Sequence, residues 1–120
     1  MSDVLTKIEI ITRPTKFEEL KQALAQIEVS GITVTHALGA GFQKGYTETY
    51  RGKKFDVNMY ERIKVEIVVC KVPVQLVIDT ARKVLNTGQP GDGKIFIYEI
   101  ANAIKIRTGE EGYDALQNTK

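Results

Sequence analysis

Thr87-Gly88-Gln89-Pro90-Gly91-Asp92-Gly93-Lys94 runs straight into Ile95-Phe96-Ile97-Tyr98-Glu99-Ile100. Three glycines, a proline and a lysine thus stand at the mouth of an apolar, β-branched run, which reads as a loop opening a strand. Glycine frees the backbone to take positive φ and lets a ligand approach closely. Consecutive N–H groups in such a turn form a concave nest for an anion, and Lys94 adds a point charge. The spacing Gly88-x-x-x-x-Gly93-Lys94 satisfies most of a Walker A pattern, but Ile95 replaces the Ser or Thr that would hold Mg²⁺. The loop also follows a helix and opens a strand, the reverse of the P-loop order. It is a candidate phosphate loop outside the P-loop NTPases, and taken alone it reads equally as a plain glycine turn.

Outward from the loop, Val74, Val77, Ile78, Ala81, Val84 and Leu85 fall at helical spacing, with Pro73 where a first turn tolerates a missing N–H. Before them, Ile63, Val65, Ile67 and Val69 alternate with Lys64 and Glu66, the pattern of a half-buried strand. The same order occurs earlier. Lys7 to Thr12 reads as a strand closed by Pro14, and Thr15-Lys16-Phe17-Glu18 has the form of a capping box. Phe17, Leu20, Leu24 and Ile27 share a helical face, Gly31 ends that unit, and Ile32 to Gly39 is a second strand. The whole is βαββαβ, a ferredoxin-like α+β pattern. One antiparallel sheet would carry both helices on a single face. The other face, with Val68, Phe96 and Tyr98 as candidates to line it, needs cover from another subunit.

The 120 residues suit one domain, and 42% apolar with 27% charged residues is ordinary for a globular chain. A formal charge of +2 leaves no basic footprint for nucleic acid or an anionic membrane. The single cysteine, Cys70, excludes an intrachain disulfide and fits a reducing compartment. No run approaches the length of a membrane span, and Met1-Ser2-Asp3-Val4-Leu5 lacks the form of a secretion signal. A cytoplasmic location is expected.

Between the two halves lies a polar, glycine-punctuated interruption from Phe42 to Glu61 with no sustained helical face. Unstructured connections of this length are uncommon in compact domains and are usually functional. It reads as an arm carrying tyrosines and basic residues toward a partner. The alternative is a β-hairpin extension, since Tyr46, Glu48 and Tyr50 alternate and Arg51-Gly52 supplies a turn.

With these pieces in order, the chain resembles the nitrogen-regulatory PII signalling proteins over nearly its whole length. The most specific match is Thr87-Gly88-x-x-Gly91-Asp92-Gly93-Lys94-Ile95-Phe96, the family's nucleotide-binding B-loop signature. Gly31-x-Thr33-Val34-Thr35, Gly39-x-Gly41-x-Gln43-Lys44-Gly45, Thr47-Glu48-x-Tyr50-Arg51-Gly52, Val65-Glu66-Ile67-Val68-Val69 and Arg107-Thr108-Gly109-Glu110-Glu111 support it. The resemblance implies a single domain and a homotrimer with ATP and ADP in the clefts between subunits. It divides the chain into a T-loop of about 42–61, a B-loop of about 86–94 and a C-terminal loop of about 105–120. Gly91, Asp92, Gly93 and Lys94 would cradle the phosphates, with Lys105 and Arg107 adding charge. Those two alternate with Ile104 and Ile106, which places them on one face of a strand. Thr33 would contact the adenine, and Gly39, Gly41, Gln43 and Val68 would complete the nucleotide site. Gln43 would help hold Mg²⁺ and 2-oxoglutarate beside ATP, with Arg62 at the position of a lysine that pairs with 2-oxoglutarate. Tyr46, Tyr50, Arg51, Lys53, Lys54 and Phe55 would meet a target, such as a membrane transporter component or a nitrogen-metabolism enzyme.

Departures from the family pattern carry their own expectations. Phe42 stands where the resemblance places an arginine that reaches the last phosphate of ATP. A charge-assisted hydrogen bond is worth roughly 1.5–3 kcal/mol, so a weaker preference for ATP over ADP follows. Lys105 replaces another arginine, exchanging a bidentate fork for a point charge. Phe42 and Arg62 together argue against 2-oxoglutarate sensing, for which Gln43 retains the family residue. Phe55 takes the place of the uridylylated tyrosine, and Lys53 that of a phosphorylated serine, so neither modification is available there.

Enzyme chemistry finds little support. The only histidine, His36, lies in a strand, Cys70 ends an apolar run as a small buried hydrophobe, and neither has a triad partner. Glu110-Glu111 reads as part of a solvated loop, and no cluster has metal-ligand spacing. Two other classes share features. An RNA-binding module of the RRM type has the same element order, and Phe96 and Tyr98 would serve as stacking platforms, but its aromatic signature run is missing. A phosphoryl-transfer enzyme would need a nucleophile beside the loop, and the sequence offers none.

Overall fold

The computed structural model describes residues 4–29, 31–43, 49–50, 53–54 and 56–117. Strand β1 (Leu5–Thr12) leads through a 3₁₀ turn at Pro14–Lys16 to helix α1 (Phe17–Gln26). Strand β2 (Thr33–Gln43) follows, then two short strands, β3 (Thr49–Tyr50) and β4 (Lys53–Lys54), and the long β5 (Asp56–Val69). Helix α2 (Val74–Leu85) and β6 (Lys94–Ile100) complete the second half, and a 3₁₀ turn at Gly112–Leu116 closes the described chain. The main sheet has the order β2-β5-β1-β6 and is antiparallel throughout. This is the ferredoxin-like arrangement that the strand and helix periods call for.

Alternation in the strands decides which side each helix covers. Ile8, Ile10, Ile63, Val65, Ile67 and Val69 point to one face and are buried there. Against them pack Leu20 and Leu24 of α1 with Val77, Ala81 and Leu85 of α2, forming one core cluster. The opposite face carries no helix. On it Lys7 pairs with Glu66 at 3.0 Å and stands 4.8 Å from the Tyr98 ring, while the Tyr98 hydroxyl donates to Glu9 at 3.4 Å. Phe96 and Tyr98 are 41% and 43% exposed there, as expected of an uncovered face.

Both helix starts differ from expectation. Thr15 does not cap α1. Pro14 opens a 3₁₀ turn, Lys16 takes the cap position, and no side chain bonds the free N–H groups. Glu18 and Glu19 in the first turn face the positive end of the helix dipole instead. Pro73 is the cap of α2 rather than its first helical residue, and its carbonyl accepts from Val77 N–H at 3.3 Å. Arg82 and Lys83 complement the other end of that helix. The turn after α1 is made not by Gly31 but by Glu28, at a φ of 69°. A side chain in the left-handed region costs roughly 1–2 kcal/mol, offset here by main-chain bonds from Glu28 and Val29 back to the helix end.

The interruption from Phe42 to Glu61 is where an unstructured arm was expected, and among the described residues it is largely paired. β2 and β5 continue together out to Gln43 opposite Asp56, and Thr49–Tyr50 pairs with Lys53–Lys54 beyond them. The described pairs have the ladder of the hairpin alternative, while Glu48 and its expected turn at Arg51-Gly52 lie outside the described residues. Tyr46, Arg51 and Phe55 lie outside the described residues. Cys70 is half-buried rather than buried.

Candidate functional site

The glycine loop between α2 and β6 is built around one carboxylate. Asp92 accepts the Thr87 hydroxyl at 2.6 Å, the Thr87 N–H at 2.7 Å and the Gly88 N–H at 3.1 Å. Arg13, just after β1, donates to the same carboxylate at 2.9 Å and to the Pro90 carbonyl at 2.6 Å. Thr12 adds a bond to the Asp92 carbonyl at 2.8 Å. These donors, the Thr87 hydroxyl foremost, then the Thr87 and Gly88 amides and Arg13, hold the Asp92 carboxyl below the usual aspartate range. The Asp92 carboxylate thus shapes the loop from within.

Three glycines have the conformations the loop needs, with φ of 81° at Gly88, 96° at Gly91 and 111° at Gly93. Gly93 is tightest: a Cβ there would run into the carbonyl oxygen of Ile11. Lys94 follows opposite Ile11, exposed and on the helix-free face. Arg62, opposite Ala37 on β5, reaches the same loop. A Cβ built on Gly91 would lie 2.6 Å from Nη2 of Arg13 and 3.3 Å from Nη2 of Arg62. Gly39 lies opposite Tyr60 at the base of the arm, and Arg62 stacks on the Tyr60 ring at 4.2 Å. Arg62, Gly91, Asp92, Gly93 and Lys94 therefore come together at one end of the sheet, with Gly39 beside Tyr60 next to them.

The other expected site residues are spread out. Thr33 pairs with Glu66 and Val68 with Lys7, both on the helix-free face. Gly41 and Gln43 lie further along the arm, opposite Asn58 and Asp56. Tyr50, Lys53 and Lys54 belong to the short outer ladder. Lys105 and Arg107 stand beyond the far end of β6 from Lys94, and the seven-residue strand between spans about 20 Å. They do not share a strand face. Ile104 bridges to Glu111, the Lys105 N–H donates to the Glu110 carbonyl at 2.8 Å, and Gly109 turns back onto Lys105 at 2.7 Å. The Lys105 amine reaches the Gln117 carbonyl at 2.7 Å and Glu110 at 3.4 Å. Glu110, bonded first to Thr108 and then to Lys105, is held below its usual pKa, and Glu111 accepts from Asn102 at 2.7 Å. The acidic pair is exposed, as expected of a solvated loop, and is also tied into the turn.

Arg13 was missed in the sequence, and Tyr60, which reads there as a residue for loop packing or partner contact, packs over Gly39 and against Arg62. Arg13 adjoins Pro14 in what reads as a strand end, and nothing local shows that it meets a loop 79 residues away. A groove of about 390 Å³ opens on the helix side of the loop, between Ile78 and Leu85 of α2 and Ile95 and Ile97 of β6. Asp92, Gly93 and Lys94 line it while Arg62 and Gly91 do not, so the groove and the cation cluster meet at the loop. Phe96 and Tyr98 share the open face with Glu9 and Glu66, whose carboxylates oppose a nucleic-acid backbone.

Comparison with known proteins places these features in context. The family model described as nitrogen regulatory protein P-II matches residues 5–110. A nitrogen regulatory PII-like protein of Bacillus subtilis is 59% identical over 116 residues, covering 97% of this chain and all of the relative. The solved structure of a B. subtilis GlnK–ATP complex superposes with a TM-score of 0.83 at 54% identity, covering 96% of this chain and 98% of the other. Arabidopsis thaliana PII bound to citrate gives a TM-score of 0.76 at 32% identity, covering 100% of this chain and 95% of the other.

Proposed function

Because the chain belongs to the nitrogen regulatory protein P-II family, we propose that it is a non-enzymatic signalling protein that binds ATP and ADP between its own copies and acts on a target through the arm of residues 42–61. The observation that carries this reading is the loop Thr87–Lys94. It is fixed from within by Asp92 and set beside Arg13, Arg62 and Lys94 at the end of the helix-free face. A shaped backbone with cations around it suits a polyphosphate, and a relative at 54% identity is solved with ATP.

The family resemblance implies a homotrimer, and where the remaining residues stand supports assembly from more than one copy. Lys105 and Arg107 lie a strand's length from the loop within one chain, so they meet its phosphates only when supplied by a second copy. Apolar side chains are left exposed at both outer strands of the sheet, with Leu38 69% exposed on β2 and Ile97 47% on β6. Ile106 in the C-terminal turn is fully exposed. A partner subunit would cover such groups.

Nucleotide occupancy would act on the arm through its root, where Gly39, Gly41 and Gln43 stand. Regulation requires that ATP and ADP make different contacts there. Among the described residues no group of three His, Cys, Asp or Glu is placed to hold a metal, so Mg²⁺ would enter with the phosphates of ATP. No described helix is long and apolar enough to cross a membrane. By the family resemblance, the target would be a transporter component or a nitrogen-metabolism enzyme. Titration calorimetry with ATP and with ADP tests the reading. Saturable heat at one site per chain is expected, and no heat with either nucleotide would refute it.

A further inference from the structure

The two guanidinium groups that flank Gly91 differ in what they are free to do. Arg13 is committed inside the loop, with Nη1 on the Asp92 carboxylate at 2.9 Å and Nη2 on the Pro90 carbonyl at 2.6 Å. Its charge is largely answered before any ligand arrives. Arg62 donates Nη1 to the main-chain carbonyl of Glu61 at 2.9 Å, and its guanidinium carbon lies 4.2 Å from the centre of the Tyr60 ring. Stacking on an aromatic ring orients an arginine while leaving its charge and its other N–H groups available. Its Nη2 is the group that faces Gly91. Tyr60 in turn sits over Gly39, where a Cβ would fall 2.5 Å from ring carbon Cε2, so the glycine is what admits the ring.

We propose that Arg62, seated by Tyr60, is the side chain that meets the terminal phosphate of ATP and sets this protein's discrimination between ATP and ADP. The inference rests on the nucleotide reading above and deepens it. From Lys94 opposite Ile11, the loop leads back through Gly93 to Gly91, beside Arg62 and toward the arm. A polyphosphate with its inner groups on Gly93 and Lys94 brings its outermost group to Arg62. The planar fork of arginine matches a phosphate, and it stands next to an arm in which Phe42 offers no charge. Tyr60 is a positioning residue. It touches no phosphate, and it limits the rotamers among which a long side chain would otherwise be spread.

The test is calorimetry on the full chain with ATP and ADP separately, and with 2-oxoglutarate in the presence of ATP, for wild type, Arg62→Gln, Arg62→Lys, Tyr60→Phe and Tyr60→Leu, with thermal melts of each. Arg62→Gln is expected to weaken ATP by about tenfold or more while leaving ADP nearly unchanged, the loss of one charge-assisted bond. Arg62→Lys should recover part of that loss, as a point charge without the fork. Tyr60→Phe should behave as wild type, and Tyr60→Leu should lower ATP affinity selectively at an unchanged melting temperature. Equal weakening of both nucleotides, or of neither, by Arg62→Gln would overturn the proposal. So would loss of 2-oxoglutarate binding with ATP affinity intact, which would assign Arg62 to the dicarboxylate. Absence of heat from the wild-type chain would remove the nucleotide reading itself, an outcome distinct from a variant that loses only its ATP preference.

Discussion

Thr12 Oγ1 donates a 2.8 Å hydrogen bond to the main-chain carbonyl of Asp92, joining the last residue of β1 to a loop 80 positions later. Thr12 is 2% exposed and Asp92 half-buried, so the bond is partly shielded from water. Thr12→Val keeps the shape of the side chain and removes the donor. The expected loss of stability is about 1 kcal/mol, read from urea unfolding. Nucleotide affinity should fall as well, because the loop is then held by Arg13 without its second tether. A variant that loses stability without any change in affinity would separate the tether from the site.

The loop glycines divide into two kinds. Gly88 has a φ of 81° with nothing within 4 Å of an added Cβ, so Gly88→Ala should cost about 1–2 kcal/mol from backbone strain alone. Gly93 has a φ of 111° and would drive the same carbon into the Ile11 carbonyl, so Gly93→Ala should cost about 3 kcal/mol or more. Thermal unfolding of the two variants side by side should rank them in that order. Equal midpoints would contradict the packing described for the start of β6.

The pH dependence follows from the lowered Asp92 pKa. Its native carboxyl holds a proton less tightly than in the unfolded chain, so the unfolded state binds more protons in that range and stability rises with pH. The contribution is complete above the ordinary aspartate value of about 3.9 and is lost as pH falls through the lower native value. Asp92→Asn should flatten the acid limb of the stability curve. It should not remove it, since Glu66 beside Lys7 and Glu110 beside Thr108 and Lys105 are shifted the same way. Urea midpoints across the acid range would show this, and a curve identical to wild type would contradict it.

Leu24 is 1% exposed at the centre of the helix layer, whereas Phe96 is 41% exposed on the bare face. Leu24→Ala should cost about 2–5 kcal/mol. Phe96→Ala should cost much less in an isolated chain and should act mainly on self-association, read by sedimentation.

The fold was legible because the strands bury one side only. Ile63, Val65, Ile67 and Val69 alternate, α2 repeats at helical spacing, and the glycine loop marks where one period gives way to the other. Errors arose where local pattern lost to longer-range geometry. Ile104 to Arg107 alternates like a strand, yet left-handed glycines at 109 and 112 fold it into a turn. Thr15-x-x-Glu18 looks like a cap, yet Pro14 starts a 3₁₀ turn one residue too early. For the site, the glycines and Lys94 were visible as a local motif. Arg13 and Tyr60 were not, because a guanidinium that crosses 79 positions and a ring that fits over a glycine leave no signal in spacing.

The most direct measurement is a crystal structure of the full chain grown with ATP. Triphosphate density is expected along Gly91–Lys94 of one copy, its last phosphate at Arg62, with Lys105 and Arg107 of the partner subunit closing the cleft. ATP held within a single chain, away from any contact between copies, would contradict it.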